Sequence, residues 1–573
     1  MVVSEVKSAV GTSKSDNIYS EFHLALSYIK PHNSRFLIAV ALLTVASMAS
    51  LATPWFVGNL TEALIRSDLS TETPLLLAWF TVLTVQAISM LLGVLGASNI
   101  GQDISAKIHA DLYEKILHIE YNYFFGESKG SVVSLFAHEA GVISNYFSSQ
   151  IISLLPQFLT VIGAIILILN LNFAMGAYIC IFATCAFLLL KILGRNLRPL
   201  TRSLMDVHAR LISRVEQDIQ LNVEIKAHNL KNKHRDLFHE INTEQKHTAK
   251  EFIRASALIS PSIQILGYFT LAFFLFYLGS GLVSTIFSIS ELVKLILYSL
   301  LFLRPVSSIS GVIGNTQNVI SALERINNFL NSRETEPDEL RTIQNCDFQQ
   351  DIVLDSVTYR YNDEIPPLLD KCNLRIKNGE VTVLTGENGS GKSTLTALVL
   401  QLLLPTEGRI YIGKTDLRLL DLNVLRRNIS YVRQTEQLFD TSIRENLFHH
   451  PTDRTESDIE KVLRALRLWD WINSLPNKLD QKVGEQGILV SGGQAQKIAL
   501  ARTLLEKRKI IILDEATSML DIETEKKFIG LFRNFVPNST VIIIAHRPLS
   551  SEIADRHIEL NDKTVRDILQ GSG

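Results

Sequence analysis

Val381-Thr382-Val383-Leu384-Thr385, followed by Gly386-Glu387-Asn388-Gly389-Ser390-Gly391-Lys392-Ser393, decides how the C-terminal part of this chain is read. The first five residues form a short, largely β-branched run that reads as a strand. The next eight fit G-x-x-x-x-G-K-[ST], a phosphate loop in its strand–loop–helix setting. The glycines let backbone N–H groups converge on a β-phosphate, and a helix beginning near Lys392 directs its positive dipole end there. Lys392 then supplies a point charge to the β- and γ-phosphates, and the Ser393 hydroxyl a ligand for Mg2+.

Two more strands end in chemistry. Ile510-Ile511-Ile512-Leu513 runs into Asp514-Glu515. Two solvated carboxylates at a strand end would be the plain alternative. Beside a phosphate loop, Asp514 is placed to hold Mg2+ through water and Glu515 to polarise an attacking water. Residues 540–544 end at Ala545-His546, and a histidine at the mouth of a parallel sheet is a candidate γ-phosphate sensor.

Working outward, the chain has 573 residues, 47% hydrophobic and 20% charged, with a mean hydropathy of +0.18. That length predicts two large domains or three to four ordinary ones. The hydrophobic content excludes global disorder, and a net charge of −2 argues against a nucleic-acid binder. Four cysteines in so long a chain exclude a disulfide scaffold.

The apolar excess is concentrated between residues 35 and 312. Six stretches there approach the ~20 residues needed to cross ~30 Å of hydrocarbon: 36–57, 74–97, 151–171, 174–193, 258–280 and 285–312. The connections after the second and fourth are long and polar, and the later one carries Arg195, Arg198, Arg202, Arg210, Arg214, Lys226, Lys231, Lys233 and Arg235. By the positive-inside tendency these connections and both termini face the cytoplasm. Residues 1–34 read as a polar cytoplasmic segment rather than a secretory signal. Arg304, next to Pro305, lies deep in the last stretch, where a charge is costly. It is expected to face an aqueous cavity or a partner helix and is the candidate substrate-cavity residue, a structural contact being the alternative. Lys191, Glu291 and Lys294 lie near span ends and are expected to snorkel.

Val490-Ser491-Gly492-Gly493-Gln494 resembles the signature sequence of the ATP-binding cassette (ABC) family. With the phosphate loop and Asp514-Glu515, it identifies residues 346–573 as resembling an ABC nucleotide-binding domain. The resemblance implies further roles. Tyr361, in Val-Thr-Tyr-Arg-Tyr, is similar to the aromatic residue that stacks on adenine. Gln434, in Tyr-Val-Arg-Gln, is similar to the Q-loop glutamine linking Mg2+ and water to the membrane part. Ser518-Met519-Leu520-Asp521 resembles the D-loop, and Val483-Gly484-Glu485-Gln486-Gly487 the exporter-type X-loop. Three departures from the family pattern, Val490, Gln486 and Met519, remove no catalytic group, although Gln486 bears on contact with the coupling helices. The membrane half resembles an exporter-type half-transporter: 112–130 and 223–227 match its coupling-helix regions, and 322–326 its exit toward the ATPase.

The expected fold is thus an α-helical transmembrane domain of six spans (35–312), a linker (313–345) and an α/β P-loop ATPase domain (346–573). The expected ATP-binding residues are Tyr361, Gly386, Glu387, Asn388, Gly389, Ser390, Gly391, Lys392, Ser393, Thr394, Ser491, Gly492, Gly493, Gln494 and Asp521. Glu515, His546 and Gln434 are the expected catalytic residues, and Ser393, Gln434 and Asp514 the expected Mg2+ ligands. The resemblance implies an ATP-driven exporter in which the signature of one copy caps ATP held by another. The expected substrate is amphipathic, lipid-like or peptidic. An importer of the same fold, a subunit paired with a paralogous half-transporter, and a non-transport ABC ATPase are the alternatives. The expected location is a bacterial inner membrane, among its lipids.

Overall fold

The computed structural model describes residues 27–65, 73–121, 123, 129–258, 288–332, 341–361, 365–434, 438–448, 454–484, 490–517, 522–545, 554–561 and 564–567, with scattered positions between 261 and 276. The chain divides into two compact units, Met1–His118 with Phe124–Arg333, and Ile119–Tyr123 with Glu334–Gly573.

The first unit is helical: α1 (Asn33–Ile65), α2 (Thr73–His118), α3 (Lys129–Ser134), α4 (Ala140–Asn145), α5 (Ile152–Leu171), α6 (Phe173–Gln220), α7 (Asn222–Ala227), α8 (Lys231–Ala257) and α9 (Ile289–Leu330). Wide π turns, Leu135–Glu139 and Tyr146–Ile151, join α3 to α4 and α4 to α5. Among the described residues, three helical stretches are long and apolar enough to cross a membrane, Ser27–Ile65, Thr73–His118 and Val132–Leu171. Hydrocarbon offers no hydrogen-bond partner, so polar groups within such helices must be satisfied internally. The hydroxyls of Thr44, Thr61, Thr84 and Thr160 each donate to the carbonyl four residues earlier, at 2.7–2.8 Å. The expected fourth stretch lies within α6, and most of the last lies within α9; the fifth falls largely outside the described residues. Helical structure begins by Ser27, inside the segment read as 1–34, and α9 continues to Leu330 through the start of the expected linker.

The start of α9 corrects one expectation. Glu291 closes a capping box: its backbone N–H donates to Ser288 Oγ, and its Oε2 accepts from the Ser288 N–H at 2.9 Å. Lys294 does not snorkel. It is only 9% exposed, donating from Nζ to Asn59 Oδ1 on α1 at 2.6 Å, with the Trp55 ring centroid 5.9 Å away. Gly58 makes this approach possible, because a Cβ there would lie 2.6 Å from Lys294 Cγ and 2.7 Å from the Ser290 carbonyl oxygen. Gly58→Ala is expected to cost about 1–3 kcal/mol through overpacking, read as a lower melting temperature of the purified protein; an unchanged melt would contradict this contact.

Among the described residues, the second unit holds two sheets. The antiparallel one has order β2-β1-β4-β5, formed by β1 (Ile352–Tyr359), β2 (Leu369–Ile376), β4 (Glu407–Ile412) and β5 (Thr415–Asp416). The other has order β10-β9-β3-β8-β7-β6, with β3 (Val381–Gly386), β6 (Ile429–Val432), β7 (Ile510–Asp514), β8 (Thr540–Ile544), β9 (Arg556–Asn561) and β10 (Thr564–Asp567). All its pairings are parallel except β10 with β9. The helices are α10 (Lys392–Val399), α11 (Leu422–Asn428), α12 (Ile443–Leu447), α13 (Glu456–Ala465), α14 (Trp469–Ser474), α15 (Gly492–Glu506) and α16 (Ile522–Phe535).

Parallel strands buried on both faces need apolar residues at every position. Alternate side chains divide between two cores. Val383, Ile511, Leu513, Val541 and Ile543 pack with Ile498 and Leu504 of α15. Leu384, Ile510, Ile512, Ile542 and Ile544 pack with Leu395 and Leu398 of α10 and with β1. Register pairs Leu384 and Asp514 each with Ile544, and Val432 with Leu513. The C-terminal ends of four strands therefore open along one edge, the usual ligand edge of such a sheet.

Candidate functional site

At that edge β3 turns into α10 through the phosphate loop. Gly391 caps the helix with φ +96°, and Gly386 has φ +148°, where a Cβ would lie 2.3 Å from the Leu560 carbonyl oxygen. Gly386→Ala is therefore expected to strain the loop by about 1–3 kcal/mol and weaken ATP binding; wild-type affinity would contradict it. Lys392 is buried, and its ammonium donates to the carbonyls of Gly386 at 2.9 Å and Glu387 at 2.7 Å. Burial pushes its pKa down, while Glu515 and Asp514 pull it back up. Asn388, Gly389 and Ser390 form the turn between, and the buried Ser390 Oγ has no hydrogen-bond partner among the described residues.

Asp514 closes β7. Its Oδ1 accepts from Ser393 Oγ and its Oδ2 from the Tyr431 hydroxyl, both at 3.3 Å. Burial pushes its carboxyl up, the two hydroxyl bonds oppose this, and the Glu515 charge adds to it. A hydroxyl and a carboxylate are hard oxygen donors, the set Mg2+ prefers. Glu515 accepts from Gln434 Nε2 at 2.7 Å, and its N–H donates to the Ile544 carbonyl. Its φ of +52° is a left-handed conformation costly for a non-glycine residue, the kind of strain that clusters at functional sites.

Tyr361, just beyond β1, is half exposed. Its hydroxyl lies 3.2 Å from Thr394 Oγ1, and its ring meets that of buried Tyr359 edge-on, centroids 5.1 Å apart. Ser491 and Gln494 form a capping box at the start of α15, so the bonds seen for the Gln494 amide stay within that turn. Gly492 and Gly493 have no positive φ, and a Cβ at either would meet none of the described residues within 4 Å.

The structure thus gathers Gly386 to Ser393, Gln434, Asp514 and Glu515, with Tyr361 joined to Thr394. Asp521, His546 and the remaining D-loop residues lie outside the described residues, as do the Arg304 side chain and X-loop positions 485–487. Sequence reading missed Tyr431. Its signal was its place in Tyr-Val-Arg-Gln, on β6 beside β7, where Tyr431 pairs in register with Ile512.

A phosphate loop with strand-end carboxylates at this edge, in a chain that also carries a long-helix membrane unit, defines a membrane-bound P-loop ATPase. The chain belongs to the ABC transporters and has the exporter-type half-transporter architecture, one membrane region fused to one ATPase domain that couples ATP hydrolysis to transport. Residues 36–306 match the ABC transporter transmembrane region and residues 369–518 the ABC transporter domain. The chain is similar to the ATP-dependent lipid A-core flippase of Photorhabdus laumondii, 24% identical over 539 residues, 93% of this chain and 92% of that protein. It is 26% identical over 455 residues to the flippase of that name from Escherichia coli K12, covering 79% and 78%. A solved bacterial Atm1-family ABC exporter with ATP bound has the same fold, with a TM-score of 0.80 at 19% identity, covering 93% of this chain and 94% of that one.

Proposed function

We propose that this chain is an ATP-driven exporter that works as a homodimer and moves a lipid-like or amphipathic substrate across a bacterial inner membrane, with its ATPase domain and both termini in the cytoplasm. The lipid A-core flippase relatives support the lipid class. The observation that carries the dimer is the open glycine pair Gly492-Gly493, which packing among the described residues does not require. Glycine permits close approach by another surface, and the N-terminus of α15 favours an anion. Ser491, Gly492 and Gly493, with Gln494 holding their turn, would cap the γ-phosphate of ATP held by a second copy.

In that reading Lys392 leaves its two carbonyls for the β- and γ-phosphates, the loop amides and Ser390 hydroxyl take phosphate oxygens, and Tyr361 stacks on adenine. Ser393, Asp514 and Gln434 would hold Mg2+, which supplies charge neutralisation between the phosphates. Glu515 accepts a proton from the attacking water, His546 senses the γ-phosphate, and Asp521 lies at the dimer contact. ATP binds the closed pair better than the open one and so shifts the population toward it; hydrolysis removes that preference. The domains would be a cytoplasmic segment (1–34), six spans (35–312) with Arg304 toward the cavity, a linker (313–345) and the ATPase (346–573).

The test is reconstitution of the chain alone into liposomes carrying a head-group-labelled phospholipid. ATP is expected to change the labelled fraction in one leaflet, and Glu515→Gln to abolish the change. An active ATPase with no lipid movement would contradict the lipid class.

A further inference from the structure

We propose that Thr394 is a positioning residue: its hydroxyl, bonded to that of Tyr361, sets the distance between the ring that meets the base and the loop that meets the phosphates. This rests on the reading of Tyr361 as the adenine-stacking residue and adds what holds it there. The two residues adjoin different sheets. Tyr361 follows β1 of the antiparallel sheet, and Thr394 stands on α10 after β3 of the parallel sheet. β1 and β3 share no strand pairing, so backbone register does not set the ring against the phosphate loop. ATP has a limited covalent reach from base to phosphates, so a platform set too far from the loop would lose one contact or the other.

The Tyr361–Thr394 bond of 3.2 Å spans this gap directly. Thr394 is well suited to anchor it, being only 6% exposed and held in the first turn of α10, two residues after Lys392. A tyrosine side chain has only two main torsions to fix. Edge-on contact with buried Tyr359 restrains the ring from one side, and the Thr394 hydroxyl fixes its tip. Ordering the platform before ATP arrives removes that entropy cost from binding. Stacking tolerates any base, so the hydroxyl bond contributes affinity rather than base selectivity.

The experiment measures ATP affinity of the purified full-length chain, by displacement of a fluorescent ATP analogue, for Tyr361→Phe, Thr394→Val, the double variant, Thr394→Ser and Tyr361→Ala. Tyr361→Phe and Thr394→Val are each expected to weaken ATP binding about two- to tenfold, the range of one neutral hydrogen bond. The double variant should be no weaker than either single one, and Thr394→Ser should recover the affinity because it keeps the hydroxyl. Effects that multiply in the double variant would overturn the proposal, as would unchanged affinity in Tyr361→Phe beside a loss in Tyr361→Ala; in the latter case stacking survives. Unchanged affinity in Tyr361→Ala would instead remove the stacking reading and this proposal with it.

Discussion

Glu515→Gln is expected to lower ATP turnover by about a hundred- to ten-thousandfold, the span general-base catalysis supplies, while ATP stays bound. Glutamine preserves size and hydrogen-bonding reach, so the contact with Gln434 survives in altered polarity, but it cannot take a proton from water. Glu515 follows Asp514 at the end of a fully buried strand, and its N–H is tied to the Ile544 carbonyl. The backbone therefore has little freedom to bring another carboxylate into the same place. Because binding survives and hydrolysis does not, ATP should accumulate in the closed pair. The paired measurements are steady-state phosphate release and the nucleotide retained after gel filtration. Retained turnover would remove Glu515 from its role.

Lys392→Ala carries the second large effect, on binding rather than turnover. A hydrogen bond to a charged group is worth about 1.5–3 kcal/mol, so loss of the ammonium should weaken ATP binding about ten- to 150-fold. The buried amine bonded to the Gly386 and Glu387 carbonyls shows what the substitution disturbs beyond charge. Both carbonyls lose a donor, and the loop loses the side chain that pins it. A nucleotide titration that leaves Lys392→Ala indistinguishable from wild type would contradict phosphate contact by this lysine.

Local patterns in the sequence were the legible ones. The strand before the phosphate loop, the helix start at Lys392 and strand 540–544 are found where the residues placed them, because glycine geometry and β-branched runs act over a few positions. The first three long apolar stretches were legible too, because each falls within a helix long and apolar enough to cross a membrane. Pairings set by tertiary register were not. Tyr431 meets Asp514 from 83 residues away, and Lys294 finds Asn59 from 235 residues away. The lysine misled because proximity to a span end suggests snorkelling; nothing local announces an acceptor on another helix. The capping of Ser491 by the Gln494 amide oxygen was not read from the sequence either. The Tyr361–Thr394 bond was equally hidden, since it joins the chain after β1 to helix α10, 33 residues away.

The most direct test of the account is ATP hydrolysis by this chain purified alone in lipid nanodiscs, measured with Mg2+ and compared with Glu515→Gln. Mg2+-dependent turnover is expected from the single chain species, abolished by Glu515→Gln while ATP binding remains. A folded, ATP-binding chain that is silent alone and gains activity only with a second, different half-transporter would contradict it.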